Sequence, residues 1–168
     1  VILRLIKIVK PKKLILGEKD WQQLIIIRKL FEELSIPIKI ESFATKRDQS
    51  GFAYSSRNSY LNNTERLNAQ ALPNAINEAK NDFVRNNRMN LKKVASRLKQ
   101  NNLKIEYIKL VDAFSLQERQ NINGICLLAV AVKCGSTRLI DHTFLMNRNP
   151  IIAIDGPAGA GKSTVTKE

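Results

Sequence analysis

Residues 13–43, KLILGEKDWQQLIIIRKLFEELSIPIKIESF, decide the fold class. The segment from Lys13 to Leu16 is a short apolar run typical of a buried strand, and IKIESF alternates apolar and polar residues as a second strand does. Between them, apolar residues at helical spacing predict an amphipathic helix: Leu24, Ile27, Leu30, Phe31 and Leu34. Strand, helix and strand with short connections predict a doubly wound α/β sheet.

The flanking segments fit the same fold. Residues 1–10 place apolar residues on one helical stripe, and Pro11 ends that helix. Asp20 stands where an N-cap of the central helix is expected. Because ligands of doubly wound sheets bind beyond the carboxyl ends of the strands, two loops are candidates for a site: GEKD at 17–20 and TKRDQSGFAYSSRN at 45–58.

The first loop has side chains suited to a nucleotide. Lys19 supplies a mobile charge for phosphate oxygens, and Asp20 can accept hydrogen bonds from ribose hydroxyls. Gln23 lies on the same helical face as Asp20 and offers an amide for a polar acid. On the residues alone, helix capping with an ordinary surface charge remains the alternative.

The second loop concentrates anion-binding groups in YSSRN. Arg57 can hold a phosphate bidentately, while Ser55 and Ser56 donate to neighbouring oxygens. A simple Asn-Ser turn with a solvated arginine is the competing interpretation.

A second unit is predicted from Leu61 onward. Residues 62–84 have a cap signal and a long amphipathic pattern, and residues 90–100 predict a further helix. Three strands are predicted at 104–113, 124–135 and 136–145. Helices followed by strands indicate a small α+β domain, so we expect domains at 1–60, 61–147 and 148–168.

The last segment, IIAIDGPAGAGKSTVTKE at 151–168, contains G-x-x-x-x-G-K-[ST] after an apolar strand pattern. Its glycines let backbone N–H groups surround a phosphate, and Lys162 would reach the outer phosphates. The motif stands near the end of the chain, and the chain opens inside an apolar periodic segment. We therefore expect a fragment with only the start of a P-loop domain, rather than an independent P-loop NTPase.

A net charge of +13 is typical of proteins that bind nucleic acid, so such a partner has to be considered. The basic residues are scattered without interleaved aromatics, so we expect no nucleic-acid partner and a solvated surface that attracts anionic substrates; a basic nucleic-acid-binding module is the alternative. Cys126 and Cys134 lack metal-ligand spacing and are predicted to be reduced thiols. No apolar run approaches the ~18 residues of a membrane span, so we expect no membrane partner and a cytoplasmic location.

Taken together, the two loops resemble the pantothenate synthetase (pantoate–β-alanine ligase) family, from Val1 to about Leu145. GEKDWQQL is similar to that family's Gly-Glu-Lys-Asp-aromatic-Gln-Gln-Leu. SGFAYSSRNSYL resembles its Asp-Gly-Leu-Ala-x-Ser-Ser-Arg-Asn-x-Tyr-Leu, and GSTRLIDH its Gly-x-x-Arg-Leu-Ile-Asp-Asn. The final segment resembles the opening of bacterial cytidylate kinase, and a known bifunctional family fuses these two enzymes in this order.

The resemblance implies an α/β architecture in three parts: the end of a Rossmann-like nucleotidyltransferase domain, a small α+β domain, and the first strand and P-loop of a kinase domain. It implies ATP-dependent condensation of pantoate with β-alanine through pantoyl adenylate, with Mg²⁺, in a homodimer formed by the ligase part. The kinase part would phosphorylate CMP or dCMP. The fragment by itself is expected to be inactive.

The resemblance also implies residue roles. Lys19 and Arg57 would be catalytic, and Gln23 would contact pantoate. Ser163 would hold Mg²⁺, but only in a complete kinase domain. The implied ATP-binding residues of the ligase are Gly17, Glu18, Lys19, Asp20, Lys46, Tyr54, Ser55, Ser56 and Arg57. Those of the kinase are Gly156, Pro157, Ala158, Gly159, Ala160, Gly161, Lys162, Ser163 and Thr164.

Three positions depart from the family pattern. Ser50 replaces Asp, Tyr54 stands where Leu is common, and His142 stands where Asn is usual. None of the three supplies a direct chemical group, and His142 is predicted to be structural. The family's His-x-Gly-His loop and a Gln that grips pantoate have no counterpart in this chain, so the resemblance implies half an active site.

Overall fold

The computed structural model describes residues 1–147. Within this range, no helix has both the length and the apolar character of a membrane span. The predicted P-loop at 156–164 lies outside the described residues. The helices and strands, in chain order, are α1 (Ile2–Val9), β1 (Lys13–Gly17), α2 (Trp21–Glu33), β2 (Lys39–Phe43), α3 (Asn63–Ala69), α4 (Ala71–Asn86), α5 (Leu91–Gln100), β3 (Lys104–Asp112), β4 (Ile125–Cys134) and β5 (Thr137–Met146).

The first unit confirms the predicted strand–helix–strand arrangement. Strands β1 and β2 pair in parallel, from Lys13 opposite Lys39 to Gly17 opposite Phe43, and α2 connects them. Both carboxyl ends therefore lie at one edge, and each candidate loop begins there. The residues of α2 that are buried are Trp21, Leu24, Ile25, Ile27 and Phe31.

The second unit is a three-stranded antiparallel sheet in the order β3-β4-β5. Gly135, at φ +56°, lies in the two-residue turn that joins β4 to β5. One sheet face packs on α4 and α5, where Leu128 and Val130 meet Leu72 and Leu98 in a buried cluster. Side chains alternate along a strand, so the neighbouring residues Val111 and Leu127 lie on the opposite face. There they pack against Trp21 and the other buried residues of α2.

Three sequence expectations are wrong in detail. Strand β1 contains no buried residue, because only one of its faces meets the cluster around Trp21; Leu16 packs there, whereas Ile15 on the other face is 62% exposed. The long helix predicted at 62–84 is two helices, α3 and α4, separated at Gln70. Pro73 has no amide hydrogen to donate to the carbonyl of Ala69, so it is tolerated in the first turn of a new helix instead. Leu34 is 53% exposed, because α2 ends before it, at Glu33.

Residues from 1–60 contact residues from 61–147 at specific points. The indole Nε1 of Trp21 donates to the carbonyl oxygen of Ala113 at 2.6 Å. Arg47 forms an ion pair with Asp141 on β5. These bonds position both candidate loops against the three-stranded sheet, while the domain boundaries stay a prediction.

Candidate active site

A cleft of about 510 Å³ lies between the start of α2 and the free face of the three-stranded sheet. Lys19, Asp20 and Gln23 line it from the α2 side. From β5, Arg138 and His142 line the opposite wall. The structure thus places the candidate groups of the first loop around one cleft that is large enough for a small-molecule substrate.

A narrow crevice of about 10 Å³ adjoins this cleft and brings the two candidate loops together. Lys19 lines the crevice as well as the cleft, and Ser55 and Arg57 of the second loop line only the crevice. Arg138 again contributes from the sheet. Cationic groups from three parts of the chain therefore converge on one place, which is the electrostatic arrangement of an anion site.

The first loop is held by its glutamate. Ser42 on β2 donates its hydroxyl hydrogen to Glu18 at 2.9 Å and accepts from Arg28 at 3.2 Å. Asp20 is the N-cap residue of α2, as expected, but its side chain makes no capping hydrogen bond. Its carboxylate lies 3.8 Å from Nζ of Lys19 instead.

The second loop is a short hairpin. The amide of Tyr54 donates to the carbonyl oxygen of Lys46 at 3.0 Å, and Nζ of Lys46 lies 6.0 Å from the Tyr54 ring centroid. Ser50, one of the departures from the family pattern, donates its hydroxyl hydrogen to Asp48 at 2.6 Å and thereby lowers the pKa of that carboxyl. Ser55 accepts from the amide of Arg57 at 3.3 Å, which starts a 3-10 turn at Ser56–Tyr60.

The predicted site residues divide into two groups. Lys19, Asp20 and Gln23 line the cleft, and Ser55 and Arg57 meet Lys19 in the crevice. The others belong to the same two loops but line neither cavity: Gly17, Glu18, Lys46, Tyr54 and Ser56.

A buried ion pair that sequence reasoning missed fixes the second loop. Arg47 donates to both carboxylate oxygens of Asp141, at 2.7 and 2.8 Å, and to the carbonyl oxygen of Gly51 at 2.9 Å. The Asp141 side chain is 2% exposed and that of Arg47 is 33% exposed. Hydrogen bonding to Asp141 raises the pKa of Arg47. No local pattern marks this pair, because its members are 94 residues apart.

His142 lies beside this pair in the wall of the cleft. Its ring contacts Phe144 edge to face at 5.4 Å, and Phe144 in turn contacts Trp21 at 4.7 Å. Burial lowers the pKa of His142, and the nearby charge of Asp141 opposes that shift. A neutral, packed imidazole supports the structural role predicted for it.

Arg138 was not among the predicted site residues, although the sequence contains a signal for it. Alternation along STRLIDH places Arg138, Ile140 and His142 on one face of β5. Only the tertiary arrangement shows that this face closes the cleft.

Comparison with known proteins places this site in a family. The profile described as pantoate-beta-alanine ligase matches residues 1–144. The chain belongs to the pantoate-beta-alanine ligase family.

A protein named bifunctional pantoate ligase/cytidylate kinase, from Prochlorococcus marinus, is 78% identical over 167 residues, which cover 99% of this chain and 32% of that protein. A protein of the same name from Parasynechococcus marenigrum is 50% identical over 167 residues, covering 99% of this chain and 32% of its own length. The chain thus spans about a third of the length of the curated relatives it matches.

Solved structures of pantoate-beta-alanine ligases share the fold. Pantothenate synthetase from Thermus thermophilus superposes with a TM-score of 0.74 at 26% identity, over 84% of this chain and 52% of that chain. Pantoate-beta-alanine ligase from Francisella tularensis, in complex with beta-gamma ATP and beta-alanine, gives a TM-score of 0.66 at 31% identity, over 84% and 47%.

Proposed function

We propose that the complete gene product containing this chain condenses pantoate with β-alanine, using ATP, to form pantothenate. The observation that carries the proposal is the shared crevice of Lys19 and Arg57, which come from separate loops and lie beside the cleft that contains Gln23. Membership of the pantoate-beta-alanine ligase family and the ATP and β-alanine named for the Francisella structure support it.

The proposed reaction has two steps. In the first, the carboxylate of pantoate attacks the α-phosphorus of ATP, and pyrophosphate leaves as pantoyl adenylate forms. In the second, the amine of β-alanine attacks the acyl carbon and loses a proton, the amide bond forms, and AMP leaves. Lys19 and Arg57 would be the catalytic cations, because preorganised positive charge stabilises the negative charge that develops on phosphate oxygens.

The remaining proposed contacts follow the two loops. Gln23 would bind pantoate from the cleft, and Lys46 would contact the nucleotide largely through its backbone. The other proposed ATP contacts are Gly17, Glu18, Asp20, Tyr54, Ser55 and Ser56. We also propose that Mg²⁺ enters the ligase site with ATP, because Mg²⁺ is commonly bound through substrate phosphates.

We also propose a cytidylate kinase in the same gene product, acting on CMP or dCMP. The P-loop sequence at 156–164 and the names of the relatives from Prochlorococcus marinus and Parasynechococcus marenigrum support this part. Lys162 would bridge the transferred phosphoryl group and Ser163 would hold Mg²⁺.

Two single substitutions in the complete gene product test the two activities separately, and each variant is the control for the other. Lys19→Ala should lower AMP formation from pantoate, β-alanine and ATP by about 100-fold or more, the scale for losing one charge-stabilising group. It should leave CDP formation unchanged, whereas Lys162→Ala should abolish CDP formation and leave pantothenate synthesis intact. A wild-type product that makes no pantothenate would refute the ligase proposal, and near-normal AMP formation by Lys19→Ala would refute the role of that lysine. Homodimer formation and the absence of nucleic-acid binding stay predictions.

A further inference from the structure

Arg138 occupies the junction of the cleft and the crevice. Four residues line both cavities: Lys19, Arg138, Ile140 and Asp141. Arg138 is thus the cationic group of the sheet that faces Lys19 across this junction. Its side chain is 42% exposed, so it can reach a bound molecule.

The charges at the junction are not balanced. Asp141 is held bidentately by Arg47, so its carboxylate is already neutralised. Lys19 has a carboxylate partner in Asp20 at 3.8 Å and Arg138 has one in Glu106 at 2.6 Å, whereas Arg57 forms no ion pair among the described residues. The excess positive charge of Arg57, beside two further cationic side chains that line the same crevice, favours a phosphate-bearing ligand.

Glu106 orients Arg138 without using its whole guanidinium group. Nε of Arg138 donates to Oε2 of Glu106 at 2.6 Å. Tyr107 is a second, weaker hydrogen-bond partner of Arg138. Because a guanidinium has five N–H donors, further donors remain for a bound anion. The pair therefore presents Arg138 toward the junction in a fixed orientation.

We infer that Arg138 binds phosphate oxygens of a nucleoside triphosphate together with Lys19 and Arg57, and that Glu106 is the positioning residue for it. The inference rests on the proposed function and adds a binding residue from the three-stranded sheet to the two loops. The sheet then closes the site over the phosphates as well as enclosing the cleft.

Lys133 provides a matched control. It stands directly opposite Arg138 in the β4–β5 register, and its Nζ lies 3.9 Å from Oε1 of the same Glu106. It lines neither the cleft nor the crevice. Removing either side chain deletes one positive charge beside the carboxylate of Glu106. Only Arg138 also lines the cavities in which a ligand would bind.

The test measures pantothenate synthesis by the complete gene product for wild type, Arg138→Ala, Arg138→Gln and Lys133→Ala. Both Arg138 variants should raise the KM for ATP by about tenfold or more, the scale for losing a charge-assisted hydrogen bond. Their KM values for pantoate and β-alanine should stay within about twofold of wild type, and Lys133→Ala should leave all three within about twofold, as expected for an exposed ion pair. Arg138→Gln keeps a hydrogen-bond donor for Glu106, so it separates the lost charge from a disturbed sheet.

Failure of the inference about Arg138 can be distinguished from failure of the proposed ligase function. An active wild type with a normal KM for ATP in Arg138→Gln would overturn this inference alone. An equal rise in all three KM values would also overturn it, because that pattern indicates a structural role. Absence of pantothenate synthesis in the wild type would instead overturn the proposed function.

Discussion

The indole Nε1–H of Trp21 donates to the carbonyl oxygen of Ala113 at 2.6 Å and joins the start of α2 to the residue that follows β3. The same ring contacts Phe144 of β5 edge to face at 4.7 Å. Trp21 directly follows Lys19 and Asp20, so these contacts set the separation between the first loop and the sheet across the cleft. An anchor next to a binding loop limits the motion of that loop, which is how preorganised sites are supported.

We expect Trp21→Phe to weaken this anchor. Phenylalanine keeps an aromatic contact with Phe144 but leaves the buried carbonyl of Ala113 without a donor. The free energy of unfolding should fall by about 1–3 kcal/mol, the range for an unsatisfied buried group. Urea unfolding measures this change, and Phe114→Leu, at a more distant contact of the same ring, is the control. Unchanged stability of Trp21→Phe would contradict the anchoring role.

The ion pair of Arg47 and Asp141 should respond asymmetrically to substitution. Arg47→Met leaves the almost fully buried Asp141 carboxylate without its cation, so stability should fall by about 3 kcal/mol or more. Asp141→Asn leaves Arg47, which is partly exposed and can be hydrated, so the loss should be only about 1–2 kcal/mol.

The double variant extends this prediction. Arg47→Met combined with Asp141→Asn should cost less than the sum of the two single changes, because the charge left unpaired in the first variant is absent. Chemical denaturation of all four proteins gives the comparison. An equal loss of stability in Asp141→Asn and Arg47→Met would contradict the interpretation as a buried ion pair. A loss in the double variant equal to the sum of the two single losses would also contradict it.

Gln23 should affect one substrate more than the other. It lines the cleft and is the proposed contact for pantoate alone, so Gln23→Ala should raise the KM for pantoate far more than that for ATP. Steady-state kinetics of pantothenate synthesis test this, with Gln100→Ala at the end of α5 as a matched amide control. Equal effects on both KM values would mean that Gln23 supports the helix instead of binding the acid.

His142 should make stability depend on pH in the weakly acidic range. Burial, as the largest cause, lowers its pKa in the folded protein below the ordinary value of 6.5. The unfolded state then binds more protons between the two pKa values, so stability is complete above 6.5 and is lost as the pH falls below it. His142→Asn should remove this part of the pH dependence. Thermal unfolding of both proteins from about pH 5 to pH 8 tests the difference, and parallel curves would contradict it.

Periodic elements of this fold could be predicted because the signals that specify them are local. The strand at Lys13–Gly17, the helix at Trp21–Glu33 and the three later strands follow apolar spacing that the sequence displays directly. The break at Gln70 was missed, since the amphipathic pattern continues through it and only the missing amide hydrogen of Pro73 separates α3 from α4. Membership of the pantoate-beta-alanine ligase family also followed from local motifs and is confirmed.

The sequence by itself thus determined the elements, the two candidate loops and the family. Only the tertiary structure decided that Lys19 and Arg57 share a crevice, that Arg138 faces them and that Arg47 neutralises Asp141. The physical reason is distance along the chain. Hydrophobic periodicity and turn chemistry act over a few residues, whereas an ion pair between positions 94 residues apart forms only after the sheet and α2 have packed together.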